Sequence, residues 1–499
     1  MEVELLGSID YKKLENYLVE KHIDNYEEII NHINTLEKER RSCIVATAGS
    51  LSRFLGDIFE RLGKTEQRTF EQNVNFIKNV IDMGHDSITD HDYCVFAIKD
   101  VSAIIEQTII AERFSSFTIK SRREVDFKDA GYYTPNFHDK NGNLILNNDE
   151  VKAEYQKHEK MLFKKYEEFT KKGIDKEDAR FVLPYSYHSN IIMGVDAHTL
   201  KDMIIKYTKT KYSCISEIRE FGEKLYEIAK KNIPYIIDVI DRTPVKLSDP
   251  VDTYLESKID RSNYKILDKP ILINHSKNID DAIIISAIMR RYQYSYDKTI
   301  QIYKEACKNY PNFKEELIKK IATESDGLEL TQINFEFQIP ISFAVLTHLT
   351  RHRTHHIIVP DFVPIVDLAQ YKIPPKIQKQ YLDEYNNIFK QNQEMYEHFK
   401  NDFGIREEDL IYFTLSGNMV NIVTNMDGKT LAHILSLREC NKTQWETRYI
   451  AHHMHQTIKN IPGAEIFNNN IGPTCETHGF CPEGKESCGK ILTLNCNNK

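Results

Sequence analysis

The spacing of apolar residues divides the chain into helical and strand-like segments. Residues 10–80 predict helices with short polar breaks, and residues 150–240 predict further helices with many charges. Tyr93 to Ile98 is short and rich in β-branched and aromatic residues, which indicates a strand. Helical spacing follows over Val101 to Arg113, where apolar side chains share one face. The pattern is typical of a helix-rich α+β protein.

The same order of elements returns in the second half of the chain. Asn334 to Ile339 predicts a strand and Pro340 to Arg353 a helix, and an offset of 240 residues sets Ala111 against Arg351. Two later pairs of segments also correspond: Asp178 to Pro184 with Glu408 to Thr414, and Asp196 to Leu200 with Asp427 to Leu431. Corresponding segments in the same order indicate duplication of a whole domain rather than a solenoid.

Domain boundaries follow from this duplication. Residues 241–265 are polar and carry two prolines, which favours a linker. We therefore expect a first domain over residues 1–240, a second over 266–465, and a cysteine-containing tail over 466–499. Each domain is expected to be helix-rich with a small sheet.

Composition and charge exclude several classes of protein. The chain of 499 residues is 41% hydrophobic, which is too apolar for a disordered protein. Its net charge of -8 argues against nonspecific nucleic-acid binding. No apolar run approaches the roughly 20 residues that span a bilayer, and no secretory signal is visible. Five of the nine cysteines are scattered singly, which suits reduced thiols, so we expect a cytoplasmic protein.

Two groups of cationic residues are candidates for binding an anion. Arg351-His352-Arg353 follows an apolar helix, and arginine binds phosphate or carboxylate with a planar fork. A solvated basic turn is the competing interpretation. Arg438 falls on the same helical face as Leu431 and Leu435, where a cation needs a partner. A structural Asp or Glu is an equally good explanation there.

The segment from Gly84 to His91 concentrates histidine and aspartate before the first strand. Two His and two Asp within eight residues are compatible with a metal site or a proton-transfer site. A polar loop that caps the next strand is equally plausible.

The region from Gly84 to Arg123 resembles the flavin-dependent thymidylate synthase family. In that family a GHxSxxEH segment precedes a strand, a helix and an RHR motif; a serine follows after seven intervening residues, and an arginine two positions further on. The first copy keeps Gly84, His85, Ser87, His91, Ser121 and Arg123, has Asp90 for the glutamate, and reads Ala111-Glu112-Arg113 at the RHR position. Arg180 resembles the family's phosphate-side arginine.

The second copy departs from the family in the opposite sense. It keeps Arg351-His352-Arg353, but Asp361 stands at the serine position and Ile411 at the Arg180 position. The histidine-rich segment has become Ser325 to Leu330. Arg438, Gln444 and Arg448 resemble the family's LR followed by AQxEIR, whereas the first copy has Tyr207 where Arg438 would be. The resemblance covers most of residues 35–235 and 265–465.

The family residues that are missing from one copy are those that the other copy keeps. Because the family builds its sites across subunit boundaries, the resemblance implies one composite site type that takes residues from both copies. It implies reductive methylation of a dUMP-like nucleotide with bound FAD, and with methylenetetrahydrofolate and NADPH as co-substrates. Two chains would then bring four copies of the domain together, so the resemblance implies a homodimer that acts as a pseudo-tetramer.

The resemblance also assigns roles to individual residues. The implied catalytic residues are Arg438, Ser121 and His91. The implied substrate-binding residues are Arg123, Arg180, Arg438, Gln444 and Ser121. The implied cofactor-binding residues are Arg351, His352, Arg353, His85 and His91.

Other interpretations stay open at this stage. One is a catalytically silent or altered-substrate pyrimidine-nucleotide-binding protein. Another is a zinc protein, because histidines cluster at positions 348, 352, 355 and 356 and at 452, 453 and 455. In the tail, a structural zinc or free thiols would explain a separate cluster: Cys475, His478, Cys481, Cys488 and Cys496.

Overall fold

The computed structural model describes residues 1–8, 26–51, 54–55, 58–258, 260, 264–323, 326–352, 354–360 and 367–491. The chain divides into two compact units. The first unit comprises residues 1–260 and 375–415, and the second comprises 261–374 and 416–499. Among the described residues, no helix is long and apolar enough to cross a membrane.

Each unit contains one four-stranded antiparallel sheet. The strands of the first unit are β1 (Glu2–Ser8), β2 (Tyr93–Val101), β3 (Ser116–Ile119) and β4 (Ser189–Asp196). Those of the second are β5 (Ile271–His275), β6 (Asn334–Ser342), β7 (His356–Ile358) and β8 (Met419–Asp427). The orders β1-β2-β4-β3 and β5-β6-β8-β7 are the same, which confirms the prediction of two tandem α+β domains with a small sheet in each.

Helices surround both sheets. Up to residue 260 they are α1 (Tyr26–Leu51), α2 (Ile58–Glu66), α3 (Phe70–Asp82), α4 (Ala103–Ile110), α5 (Asn148–Lys171), α6 (Lys176–Ala179), α7 (Ala197–Lys209), α8 (Ser216–Asn232), α9 (Ile237–Arg242) and α10 (Pro250–Glu256). Beyond it they are α11 (Ile279–Tyr292), α12 (Tyr296–Asn309), α13 (Phe313–Thr323), α14 (Phe343–Thr350), α15 (Pro375–Gln380), α16 (Leu382–Asn401), α17 (Glu407–Leu410), α18 (Gly428–Arg438), α19 (Trp445–Ile458), α20 (Glu465–Asn469) and α21 (Thr474–Thr477). Short 3-10 turns cover Asp86–His91, Arg180–Val182, Lys211–Cys214, Pro234–Ile236, Leu328–Gln332, Ile411–Phe413 and Gly484–Glu486.

The helix after the fourth sheet strand along each copy begins with the same cap. The side chain of Asp196 accepts a hydrogen bond from the backbone N–H of Thr199 at 2.7 Å, at the start of α7. Asp427 accepts from Thr430 at 2.7 Å, at the start of α18. Such a cap satisfies an N–H that has no partner within the helix, and it stabilises the helix by about 1 kcal/mol.

A buried serine–glutamate pair also recurs in both units. The Ser102 hydroxyl donates to Glu217 at 2.6 Å, and the Ser102 backbone N–H donates to the same carboxylate at 2.8 Å. Ser342 makes the corresponding bonds to Glu446 at 2.7 and 2.8 Å. Each pair joins the start of the helix after the central strand to a later helix, α8 or α19, and so fixes the helices that carry the candidate site residues.

Strand β4 and the start of α14 differ from the sequence prediction. Strand β4 lies within residues 150–240, where the sequence predicts helices, because a short apolar run cannot be assigned to helix or strand by periodicity. Strand β6 continues through Pro340, so α14 begins at Phe343. The pairing with β5 reaches only Gln338, so the missing N–H of proline costs no bond on that side.

Residues 375–415 lie within the second copy along the sequence but within the first unit in the fold. Nε2 of His158 in α5 lies 2.9 Å from Oδ1 of Asn392 in α16. The Tyr412 hydroxyl donates to Glu217 at 3.0 Å, so the buried carboxylate also binds this segment. The aromatic side chains of residues 375–415, Phe399 among them, pack against aromatic side chains of the first copy.

Candidate functional site

The second unit brings together two of the candidate residues. His352 lies two residues after the C-terminal end of α14, and Arg438 is the last residue of α18. Nε of Arg438 donates to Nε2 of His352 at 2.9 Å. A histidine is therefore one partner of Arg438, which the sequence did not suggest. A cation at the C-terminal end of a helix is also stabilised by the helix dipole.

His352 is neutral at physiological pH. Its side chain is buried, and burial followed by the positive charge of Arg438 lowers the pKa of His352 to about 3. A neutral imidazole can accept the Arg438 hydrogen bond, whereas a protonated one has no free lone pair. Arg351 is exposed beside this pair. Arg353 and Asp361 lie outside the described residues.

The first copy fills the corresponding positions with different chemistry. Glu112 stands where the second copy has His352, and Tyr207 stands where it has Arg438. The Tyr207 hydroxyl donates to Glu112 at 3.0 Å, and Lys206 donates to the same oxygen at 2.7 Å. Glu112 is thus held by Tyr207 and Lys206 from its own unit, whereas the corresponding position of the second copy carries an imidazole.

The first unit instead contains a buried arginine with an unsatisfied donor. Arg180 is 2% exposed, and its Nε donates to the backbone oxygen of Glu177 at 3.1 Å. Within the part of the chain that the structure describes, its second terminal nitrogen has no hydrogen-bond partner. Burial and the charge of Arg122 lower the pKa of Arg180 to about 10, so it stays protonated at neutral pH. A buried cation with an unpaired donor is costly and favours an anionic ligand.

Arg122, which sequence reasoning missed, lies beside Arg180. Its guanidinium binds Glu106 at 3.1 Å and lies 5.1 Å from the ring centre of Tyr187. Arg123, which the sequence favoured, is half-exposed and pairs with Glu177 at 3.0 Å. The available signal for Arg122 was Glu106, a carboxylate in the otherwise apolar helix α4.

Ser121 adjoins this arginine cluster, which we define as Arg122, Arg123 and Arg180. Its hydroxyl oxygen accepts the backbone N–H of Arg123 at 3.3 Å, and the residue is only partly buried. The hydroxyl proton can still be donated to a ligand. Glu106 pairs with Arg122, and Glu177 pairs with Arg123.

His85 and His91 line a cavity of about 710 Å³ in the first unit. Both are exposed and flank the 3-10 turn Asp86–His91. Phe54 and Phe76 contribute apolar walls, and Arg61 from α2 contributes a cation. This volume falls in the range of small-molecule sites, which combine apolar walls with a few polar groups.

The acidic residues of this turn are engaged by other side chains. Asp86 forms an ion pair with Lys201, and Asp90 lies 2.9 Å from Nδ1 of His198. Across the described residues there is no group of three or more His, Cys, Asp or Glu side chains placed to hold a metal ion as they stand. His348 contacts Thr447 at 3.0 Å.

Gln444 is buried and begins α19. Its side-chain oxygen accepts the backbone N–H of Thr447 at 2.9 Å, so it caps this helix and does not contact the helix of Arg438 through that oxygen. Its amide nitrogen has no hydrogen-bond partner among the described residues.

Comparison with known proteins assigns the family. The family model described as thymidylate synthase complementing protein matches residues 28–235 and again residues 271–462. The chain belongs to this family. Because each copy is matched once, the comparison confirms both the duplication and the resemblance inferred from Gly84 to Arg123.

Individual relatives share limited identity with this chain. A flavin-dependent thymidylate synthase of Thermococcus onnurineus is 26% identical over 152 residues, which are 30% of this chain and 57% of that protein. One from Sulfolobus acidocaldarius is 24% identical over 229 residues, 43% of this chain and 82% of that protein. The chain thus spans just over half the length of the first of these relatives.

Among solved structures, a UMP/dUMP methylase of Streptomyces cacaoi bound with 5-Br dUMP aligns at a TM-score of 0.36 and 17% identity. The alignment covers 48% of this chain and 94% of that one. This similarity is too low to support an argument about function.

Proposed function

We propose that this thymidylate synthase complementing family protein methylates dUMP at C5 to give dTMP. The proposed carbon donor is methylenetetrahydrofolate, the reductant is NADPH, and FAD is the bound cofactor. The supporting observation is the division of cationic groups between the copies. The second copy keeps the Arg438–His352 pair, and the first keeps the buried Arg180.

Each copy has replaced the group that the other retains. Glu112 and Tyr207 satisfy each other in the first copy, and Ile411 stands where an Arg180 equivalent would be in the second. Two copies that decayed independently would lose residues from both sets at random. We therefore propose that each turnover uses the Arg180 group of a first copy and the Arg438 group of a second.

Arg180 is proposed to bind the nucleotide phosphate. A phosphate oxygen would accept the donor that has no partner in the described structure, and the Ser121 hydroxyl would donate to the same ligand. Arg122 is held by Glu106 and adds positive charge without moving. Each charge-assisted hydrogen bond contributes about 1.5–3 kcal/mol.

The residues present fit a flavin. The cavity lined by His85 and His91 has the volume and apolar walls that an aromatic ring system needs. When bound, FAD would supply hydride transfer. Arg351, Arg353 and Arg438 supply positive charge on the second copy. Neutral His352 holds the guanidinium of Arg438 by accepting its Nε–H.

The test begins with the purified full chain. We expect a flavin absorption spectrum that bleaches with NADPH, and dTMP formation when dUMP and methylenetetrahydrofolate are present. Arg438→Ala and Ser121→Ala should each abolish or strongly reduce dTMP formation, and Tyr207→Phe is the matched control that should retain it.

The outcomes separate the parts of the proposal. If both Arg438→Ala and Ser121→Ala keep full activity, the division between copies is wrong. A colourless protein that binds dUMP without turnover would overturn the enzymatic function and identify a silent nucleotide-binding protein.

A further inference from the structure

Four cysteines line one small cavity in the second unit. They are Cys440, Cys475, Cys481 and Cys488, and none of them forms a disulfide. Cys440 lies two residues after Arg438, whereas the other three come from the tail. The sequence grouping of the tail cysteines missed Cys440. It included His478, which is exposed, contacts Thr477 at 2.8 Å and does not line this cavity.

We propose that these four cysteines bind a zinc ion that fastens the C-terminal tail to the end of α18. Four cysteine thiolates are one of the ligand sets of structural zinc, and a complete set leaves no open position for chemistry. The cavity measures about 30 Å³, which accommodates a single water-sized particle and excludes a nucleotide or flavin.

The charges around the cavity suit such an ion. One Zn²⁺ with four thiolates carries two negative charges. Lys442 and Lys490 line the cavity and add positive charge, although each also pairs with a glutamate, Glu486 and Glu476 respectively. Glu439 and Glu483 also line it. Glu439 already has two partners, because Nδ1 of His452 and Nδ1 of His455 lie 3.0 and 2.8 Å from its oxygens.

Binding requires the thiols to turn toward one point. The described side chains are not placed to hold a metal as they stand, but a cysteine side chain has only one torsion, with three staggered positions. Asn441 already directs its amide at Sγ of Cys488, at 3.7 Å. Donors of this kind orient metal-bound thiolates in known sites.

The tail also needs an external anchor. Its described part includes the four-residue helix α21 and a three-residue turn, and most of the described side chains from Cys475 to residue 491 are exposed. So small a segment cannot build its own hydrophobic core, and metal binding then supplies the folding energy. The ion would join the tail to the connection between Arg438 and Gln444.

The test measures metal on the full chain purified under reducing conditions. We expect one zinc per chain, lost in Cys440→Ser and retained in two control variants, Cys307→Ser and His478→Ala. Zinc retained in Cys440→Ser, or no zinc after incubation with zinc sulfate, would overturn the proposal.

Alkylation of the unmutated chain gives a test that does not depend on the folding of a variant. Iodoacetamide should spare the four cysteines and modify Cys307, and a chelator should remove the protection. Protection that a reductant removes and a chelator does not would identify a disulfide and refute the zinc site. Neither readout depends on the proposed enzymatic function.

Discussion

Tyr207 donates its hydroxyl to Glu112 over 3.0 Å, at the positions that Arg438 and His352 occupy in the second copy. The contact between these two positions survives in both copies, although every side chain that makes it differs. Duplication therefore preserved the packing of the helix ends, while only the second copy has the arginine–histidine pair there.

Removal of the two equivalent side chains should have unequal effects on catalysis. We expect Arg438→Ala to lower dTMP formation by at least about 100-fold, since the loss of a charge-assisted contact in the transition state costs about 2.7–4 kcal/mol. Tyr207→Phe removes only an internal hydrogen bond and should leave the rate unchanged. Steady-state kinetics of both variants check this, and equal losses would show that the first-copy location is also active.

Acidification should destabilise the second unit through His352. The folded pKa of about 3 lies below the ordinary value of 6.5, so only the unfolded chain gains a proton as the pH falls between these values. The free energy of unfolding therefore falls as the pH drops from 6.5 toward 3. At about pH 5 it is lower by about 2 kcal/mol than above pH 6.5. His355, whose pKa burial lowers to about 4, acts in the same direction.

Denaturant unfolding followed by Trp445, the single tryptophan of the chain, measures this effect. His352→Gln keeps an acceptor for Arg438 and should reduce the dependence on pH. Exposed His356→Gln is the control and should not. An unchanged pH dependence in His352→Gln would mean that His352 is accessible to protons in the folded state.

The first unit should respond to pH in the opposite sense. Burial raises the pKa of Glu159 to about 8, against hydrogen bonds from Ser186 and Tyr155. The folded state thus holds a proton that the unfolded chain releases near pH 4.5. The stabilisation that protonated Glu159 gives the folded state is complete below about pH 4.5. It is lost as the pH rises through about 8, and the free energy of unfolding falls by about 2–3 kcal/mol between pH 6 and 8.

Hydrogen exchange of peptides from α5, measured at about pH 6 and about pH 8, tests this expectation. Glu159→Gln mimics the protonated side chain and should flatten the response to pH, whereas Glu167→Gln, on the same helix but partly exposed, should keep it. A loss of stability that persists in Glu159→Gln would assign the effect to another group, such as Glu217, whose pKa burial raises to about 7.

Replacement of Arg180 should separate binding from stability. We expect Arg180→Met to weaken dUMP binding by about 10- to 150-fold, the equivalent of about 1.5–3 kcal/mol. The same change should raise the unfolding free energy of the ligand-free protein, because it removes a buried charge with an unpaired donor. Calorimetric titration and thermal unfolding measure the two effects, with exposed Arg242→Met as control. A destabilised variant that binds normally would assign Arg180 a structural role.

Local patterns explain which features the sequence could predict. The duplication and the strands at Tyr93 and Asn334 follow from the order and spacing of nearby residues. The choice between Arg122 and Arg123 does not, because it depends on Glu106, which lies in helix α4. Cys440 escaped notice for the same reason, since its neighbours in the fold are distant along the chain.

The boundaries of the copies and of the compact units differ, and this has a consequence for separating the halves. A break anywhere in residues 241–265 would leave Tyr385, Phe399 and Phe413 on the polypeptide that lacks the rest of their aromatic core. Neither fragment would then inherit a complete first unit. The fusion is therefore hard to reverse by gene fission. To restore the native fold, residues 375–415 of the C-terminal fragment would have to bind the N-terminal fragment.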